Sequence, residues 1–117
     1  MDINVSAHGL RIDSDTDDFV RRQIHAALRR FEEQVVSVDA FLKDINGPKG
    51  GIDKQVLVRV RLRNRQVIAT VITRARLRAA VVVSVRKAKR AVRRSLEKSL
   101  HGRRWRAPAG LSEVTGS

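Results

Sequence analysis

Residues 76–100 read RLRAAVVVSVRKAKRAVRRSLEKSL, and their interpretation decides the fold. The β-branched run at 79–85 would suit a strand by propensity alone. At 100° per residue, however, the apolar and small side chains of the whole segment fall within an arc of about 120°. A strand would scatter them over both faces. They are Leu77, Val81, Ser84, Val85, Ala88, Val92 and Leu96. The pattern therefore predicts an amphipathic helix over about 76–100.

Upstream of this helix, a two-residue period predicts four strands and a helical period predicts one further helix. The predicted strands cover residues 2–7, 36–43, 56–63 and 66–73. Val36, Val38, Ala40 and Leu42 form the apolar side of the second strand. Val20, Ile24, Leu28 and Phe31 recur at helical spacing, which predicts a helix over about 15–33 with Asp13 or Ser14 as its N-cap.

The connections carry ordinary turn signals. The Gly and Pro content of residues 46–51 predicts a hairpin loop between the second and third strands, and Asn64-Arg65 predicts a tight turn before the fourth. Asn suits the positive φ that such turns require, whereas Arg65 suits it less well. The order β-α-β-β-β-α predicts an α+β fold, in which two helices cover one face of a four-stranded sheet, as in double-stranded-RNA-binding domains. We expect residues 1–101 to form this domain and 102–117 a flexible basic tail.

The charge of the chain is strongly asymmetric. Its 117 residues hold 25 Lys and Arg against 12 Asp and Glu, a net charge of +13. Residues 1–58 carry 8 basic and 10 acidic side chains, a net charge of −2, whereas residues 59–117 carry 17 and 2, a net charge of +15. Such an excess predicts a polyanionic partner for the second half.

Several classes of site are excluded or disfavoured. The chain has no cysteine, which removes disulfides, thiolate zinc sites and a cysteine nucleophile. The three histidines are far apart and match no catalytic or metal-ligand spacing. The GxxG pattern at 47–50 joins two strands rather than two helices, so it does not indicate a KH domain. It is not a P-loop either, because no Gly-Lys-Ser/Thr follows it and no helix begins there. We therefore predict a non-enzymatic protein with no cofactor, no metal and no small-molecule substrate.

The start of the chain resembles no export signal, and no apolar run approaches the length that spans a bilayer. We therefore expect a cytoplasmic protein. A basic amphipathic helix lying on an anionic membrane is a further interpretation of residues 76–100. It is disfavoured because the narrow apolar side of that helix should pack on the sheet.

The cations of the last helix occupy the side opposite its apolar stripe. Solvated helix faces usually mix charges of both signs, but Glu97 is the only acid in this segment. Like charges four residues apart, as at Arg86/Arg90 and Arg90/Arg94, oppose helix formation in the free protein. This pattern favours a nucleic-acid-binding face over a merely solvated one, and the scarcity of aromatic residues favours structured RNA over stacked single strands. A protein that coats RNA or DNA without specificity remains an alternative.

Three segments carry a family resemblance. They are Asp18-Phe19-Val20 at the start of the first helix, residues 44–54 (DINGPKGGIDK) with the later Val60-Arg61-Leu62, and Ala79-Ala80 followed by the cations at 86–90. Over about residues 1–100 the chain resembles the ribosome hibernation-promoting factor family, which includes the ribosome-associated inhibitor, in its short form. The resemblance implies a protein that binds the small ribosomal subunit in the channel of messenger and transfer RNA. There it would silence idle ribosomes during stress or stationary phase.

The resemblance also implies which residues contact 16S ribosomal RNA. Lys87 and Arg90 match cations of the family's second helix, and Arg22 matches one of the first helix, whereas Gln23 and Ala26 stand where relatives often have lysine. Together with the charge pattern, this gives the candidate RNA-binding residues Arg22, Arg29, Arg86, Lys87, Lys89, Arg90, Arg93 and Arg94. The long form's dimerisation domain is absent from the sequence, so we expect a monomer that does not itself join two ribosomes.

Overall fold

The computed structural model describes residues 1–45 and 54–104, with side chains as far as residue 98. Its elements are β1 (Asp2–His8), α1 (Ser14–Leu28), β2 (Val35–Asp44), β3 (Lys54–Leu62), β4 (Val67–Arg74) and α2 (Leu77–Arg104). A short 3₁₀ turn at Arg29–Phe31 follows α1. This order confirms the predicted β-α-β-β-β-α fold. It also confirms that the β-branched run at 79–85 is helical.

The four strands form one mixed sheet in the order β1-β2-β3-β4. β1 pairs in parallel with β2, while β2, β3 and β4 are antiparallel neighbours. The parallel pair requires a crossover connection, and α1 supplies it. In register, Ile3 lies opposite Val38, Val38 opposite Val60, and Val60 opposite Ile68. This row of apolar side chains crosses the whole sheet on the face that the helices cover.

The hydrophobic core lies between that face and the two helices. Val20, Ile24 and Leu28 of α1 are buried, and the apolar stripe of α2 is buried at Ala80, Val81, Val85, Ala88 and Val92. Ser84 is also buried, and its hydroxyl donates to the Val56 carbonyl oxygen at 3.4 Å. Because the small Ser84 side chain leaves little bulk at this contact, α2 packs directly on β3 and β4. The sheet face opposite the helices remains open to solvent.

The structure corrects two details of the sequence prediction. The first helix ends at Leu28 instead of continuing to about residue 33, because the chain tightens into the 3₁₀ turn at Arg29–Phe31. On β2, a register irregularity between Val35 and Ser37 turns Val35 inward at 1% exposure and leaves Val36 43% exposed. The prediction that Val36 belongs to the apolar face was therefore wrong. A bulge reverses the alternation of side chains locally, which strict periodicity cannot anticipate.

The predicted loop at 46–51 and the end of the chain lie largely outside the described residues. α2 continues to Arg104, three residues beyond the predicted domain boundary at 101. The flexible tail predicted at 102–117 therefore stays a prediction beyond that point.

Candidate nucleic-acid interface

Two acidic side chains stabilise the start of α1. Asp13 is the N-cap, and its carboxylate accepts a hydrogen bond of 2.8 Å from the backbone amide of Thr16. This hydrogen bond lowers the pKa of Asp13 below its ordinary value. Asp17 pairs with Arg21 at 2.8 Å, and Arg21 also donates to the Ile3 carbonyl oxygen. These groups hold α1 against β1, so Arg21 has a structural partner on each side.

The cations of α2 lie on its solvent side, as predicted. Arg86, Arg90 and Arg93 point away from the apolar stripe and are exposed, as are Lys87 and Arg94. Lys89 is half-buried. Within residues 1–45 and 54–98, none of these six side chains forms an ion pair. α2 therefore presents a band of uncompensated positive charge, which we call the α2 cation face (Arg86, Lys87, Lys89, Arg90, Arg93, Arg94).

Contacts on either side of α2 orient this face. The Arg78 guanidinium lies 4.6 Å from the centre of the Phe19 ring, which identifies the flank of α2 that faces α1. Lys89 shares that flank, which accounts for its partial burial. On the opposite flank, the Ser95 hydroxyl donates to the side-chain carbonyl oxygen of Gln66, directly before β4. By their helical positions, Lys87 and Arg94 lie on the side of the cation face nearer to that flank.

The two candidates from the first helix lie in the same helical layer. Arg22 is exposed on α1, on the side away from its buried residues. Arg29 is exposed at the first position of the 3₁₀ turn that follows α1. Neither forms an ion pair with a residue that the structure describes. The structure thus brings six candidates together on α2 and places the other two apart from them, Arg22 on α1 and Arg29 in the 3₁₀ turn that follows it.

The open face of the sheet has a different character. Arg59 donates two hydrogen bonds to Asp39, at 3.0 and 3.3 Å, and its guanidinium lies 5.3 Å from the centre of the Phe41 ring. Val67 and Val71 are exposed nearby. A cation neutralised by a carboxylate attracts a polyanion less than a free one does. The helical side is therefore the stronger candidate for contact with nucleic acid.

Over the described part of the chain, no three His, Cys, Asp or Glu side chains come together in a way that could hold a metal ion. None of the helices there combines the length and the apolar composition needed to cross a membrane.

Comparison with known protein families shows to which family the chain belongs. The model of the family described as sigma 54 modulation protein / S30EA ribosomal protein matches residues 3–99. The chain belongs to this family. Membership in the S30EA ribosomal protein family confirms the family resemblance and identifies a ribosome-associated protein. No curated protein sequence matches the chain.

Solved structures support the fold of this S30EA family member. The N-terminal domain of Protein Y from Thermus thermophilus matches with a TM-score of 0.67 and 19% identity, covering 80% of this chain and 98% of that domain. A ribosomal subunit interface protein from Coxiella burnetii matches with a TM-score of 0.70 and 13% identity, covering 83% and 99%. At these identities the likeness establishes the shared fold.

Two exposed cations near the turn between β3 and β4 are absent from the predicted set of RNA-binding residues. Arg61 is exposed on the open face near the end of β3, and Arg65 is exposed in the turn between β3 and β4. Arg65 directly precedes Gln66, whose side chain contacts Ser95 of α2, so its closeness to that helix becomes visible only with the fold. The sequence signal that could have identified Arg65 is its place in a predicted turn that suits Asn or Gly better.

Proposed function

We propose that this protein binds ribosomal RNA of the small subunit, in the channel used by messenger and transfer RNA, and thereby silences translation during stress or stationary phase. The observation that carries the proposal is the α2 cation face, whose side chains form no ion pair with described residues. Because the family is ribosome-associated, ribosomal RNA is the expected partner of this positive charge. The Coxiella burnetii structure with the same fold is named as a ribosomal subunit interface protein.

The chemistry of binding is electrostatic in the first place. Each phosphate that a Lys or Arg neutralises releases condensed counterions, so affinity depends steeply on salt. In the free protein, Arg86, Arg90 and Arg94 repel one another across successive helical turns. Phosphates placed along this face relieve that repulsion, and the relief adds to the binding free energy. The shape of folded RNA, rather than base sequence, then provides discrimination.

In this proposal the protein inhibits translation by occupying the channel for messenger and transfer RNA. It is non-enzymatic, takes no cofactor or small-molecule substrate, and is a monomer in the cytoplasm when free. A bound domain in the channel would exclude messenger and transfer RNA by its volume alone.

The test reverses three charges on the α2 cation face, in the variant Lys87→Glu/Arg90→Glu/Arg94→Glu. All three side chains are exposed, so the fold should survive the change. We expect the variant to lose binding to purified small subunits in a sedimentation assay while its circular dichroism spectrum stays that of the wild type. Unchanged binding by this folded variant would contradict the proposal.

A matched control makes the same change in net charge elsewhere. Arg11, Lys43 and Arg74 are exposed and lie away from the α2 cation face. The variant Arg11→Glu/Lys43→Glu/Arg74→Glu should retain most of the binding. Equal loss in both variants would show that net charge, not the α2 face, governs association.

Non-specific coating of RNA or DNA is the second candidate, favoured by the same unpaired cations. It predicts binding that scales with the length of any polyanion and ignores whether the partner is a ribosome.

A further inference from the structure

The turn between β3 and β4 has an arginine at a position that arginine rarely takes. Arg63, Asn64 and Arg65 form a three-residue loop closed by two backbone hydrogen bonds, from the Arg65 amide to the Leu62 carbonyl at 3.0 Å and from the Leu62 amide to the Gln66 carbonyl at 2.9 Å. The third loop residue, Arg65, has a φ of +72°. In loops of this kind that position is left-handed and normally taken by Gly, or by Asn.

The sequence prediction of a turn at Asn64-Arg65 is thus confirmed in place but not in detail. Asn64, which tolerates a positive φ, does not adopt one, and Arg65 does. A β-carbon at a left-handed position is sterically unfavourable. Gly or Asn at position 65 would therefore make the fold more stable than Arg does. The stability of the fold thus does not explain the arginine there.

The Arg65 side chain has no structural task that the described residues reveal. It is exposed, and it forms no hydrogen bond, ion pair or ring contact within residues 1–45 and 54–98. Arg61, at the end of β3, is exposed and equally without a partner in those residues. The acids Glu32 and Glu33, in the segment before β2, are exposed and form no ion pair with either arginine.

Arg63 fixes the turn in place. Its backbone amide donates to the Gln34 carbonyl oxygen at 2.8 Å, and its Nε donates to the Glu33 carbonyl oxygen. The turn is therefore tied to the segment between the 3₁₀ turn and β2. A charged group on an anchored turn is positioned in advance, which reduces the entropy lost when it binds.

The turn also adjoins the flank of α2 that carries Arg94 and Lys98. Gln66 follows Arg65 directly, and its side chain accepts the hydrogen bond of Ser95 from α2. Arg94 precedes Ser95, and Lys98 lies one helical turn further on the same flank. Positive charge therefore continues from α2 past the edge of the sheet onto the turn.

We propose that the β3–β4 turn is a second phosphate-binding site, in which the Arg65 guanidinium contacts an RNA backbone phosphate beside the one held by the Arg94 flank of α2. This inference rests on the proposed function, because it takes the same RNA as partner. The unfavourable backbone conformation of Arg65 is retained because its charge is used in binding. Stability and binding should thus respond to substitution in opposite directions.

The experiment compares Arg65→Asn, Arg65→Lys and Arg11→Asn. Arg65→Asn removes the charge but suits the left-handed conformation, so its thermal unfolding midpoint should equal or exceed that of the wild type. Arg65→Lys keeps the charge. Arg11→Asn removes an exposed charge from the loop between β1 and α1, at the other end of the sheet. Affinity for purified small ribosomal subunits is measured by filter binding at several salt concentrations.

We expect Arg65→Asn to weaken binding about 3- to 10-fold and to lower the slope of log affinity against log salt by about 0.7–0.9, as for one lost phosphate contact. Arg65→Lys should lie near the wild type, and Arg11→Asn should change the affinity much less than Arg65→Asn. If the wild type binds and Arg65→Asn binds equally well, the turn is not a phosphate site although the proposed function stands. If the wild type itself does not bind small subunits, both proposals fall together.

Discussion

Neutralising Arg90 should stabilise the free protein while weakening its binding. Arg90 has Arg86 four residues before it and Arg94 four residues after it, and all three are exposed without ion pairs to described residues. Each such like-charge pair destabilises a helix by about 0.2–0.5 kcal/mol, so Arg90→Gln should raise the free energy of unfolding by about 0.4–1 kcal/mol. Gln matches Arg closely in helix propensity, so little else changes.

Differential scanning calorimetry at low and high salt measures this gain. The unfolding midpoint of Arg90→Gln should lie above that of the wild type at about 10 mM salt and approach it at about 1 M, where the Debye length falls from about 30 to 3 Å. In parallel, the slope of log affinity for small subunits against log salt should fall by about 0.7–0.9.

The control is Arg22→Gln on α1, where the residue four positions earlier is Asp18. This opposite-charge spacing favours the helix, so its loss should lower the midpoint slightly instead of raising it. An Arg90→Gln midpoint at or below that of the wild type in low salt would refute the view that the α2 face is electrostatically unfavourable in the free protein.

Two further predictions concern α1. Ile24→Ala should lower the free energy of unfolding by about 2–5 kcal/mol, measured by urea denaturation, because Ile24 is fully buried at the sheet contact; a loss below 1 kcal/mol would contradict that packing. Asp13→Ala should remove an N-cap whose pKa is depressed by the Thr16 amide. Because the folded pKa lies below its ordinary value near 3.8, the contribution of Asp13 is present above that pH and lost as pH falls through the folded pKa. The wild-type midpoint should therefore exceed that of the variant at neutral pH and converge on it in acid, and a constant difference would contradict this.

Periodicity predicted the fold well because one face of every element is buried against a single core. The helical arc from Leu77 to Leu96 outweighed the β-branched run within it, and the buried positions Val81, Val85 and Val92 match that arc. The prediction of side-chain orientation and of helix length failed where the backbone departs from a strictly periodic strand or helix. The irregularity beside Val36 and the early end of α1 depend on how backbone hydrogen bonds are completed between elements, which residue type alone does not determine.

The candidate site was predictable in part for the same reason. The α2 cations share one helix, so their common face follows from spacing alone. Their relation to the β3–β4 turn depends on how α2 lies on the sheet, as the contact between Ser95 and Gln66 shows. The conformation of Arg65 could not be inferred either, because the turn sequence favours the positive φ at Asn64.

The central claim is tested most directly by sedimenting the purified protein with small subunits, with whole ribosomes and with an equal mass of bulk duplex RNA across a salt series. The account predicts saturation near one copy per small subunit at moderate salt, with displacement by initiator transfer RNA in the presence of messenger RNA. Binding that does not saturate, that is equal on every polyanion and that disappears from all of them together as salt rises would contradict it, and would identify a general coating protein instead.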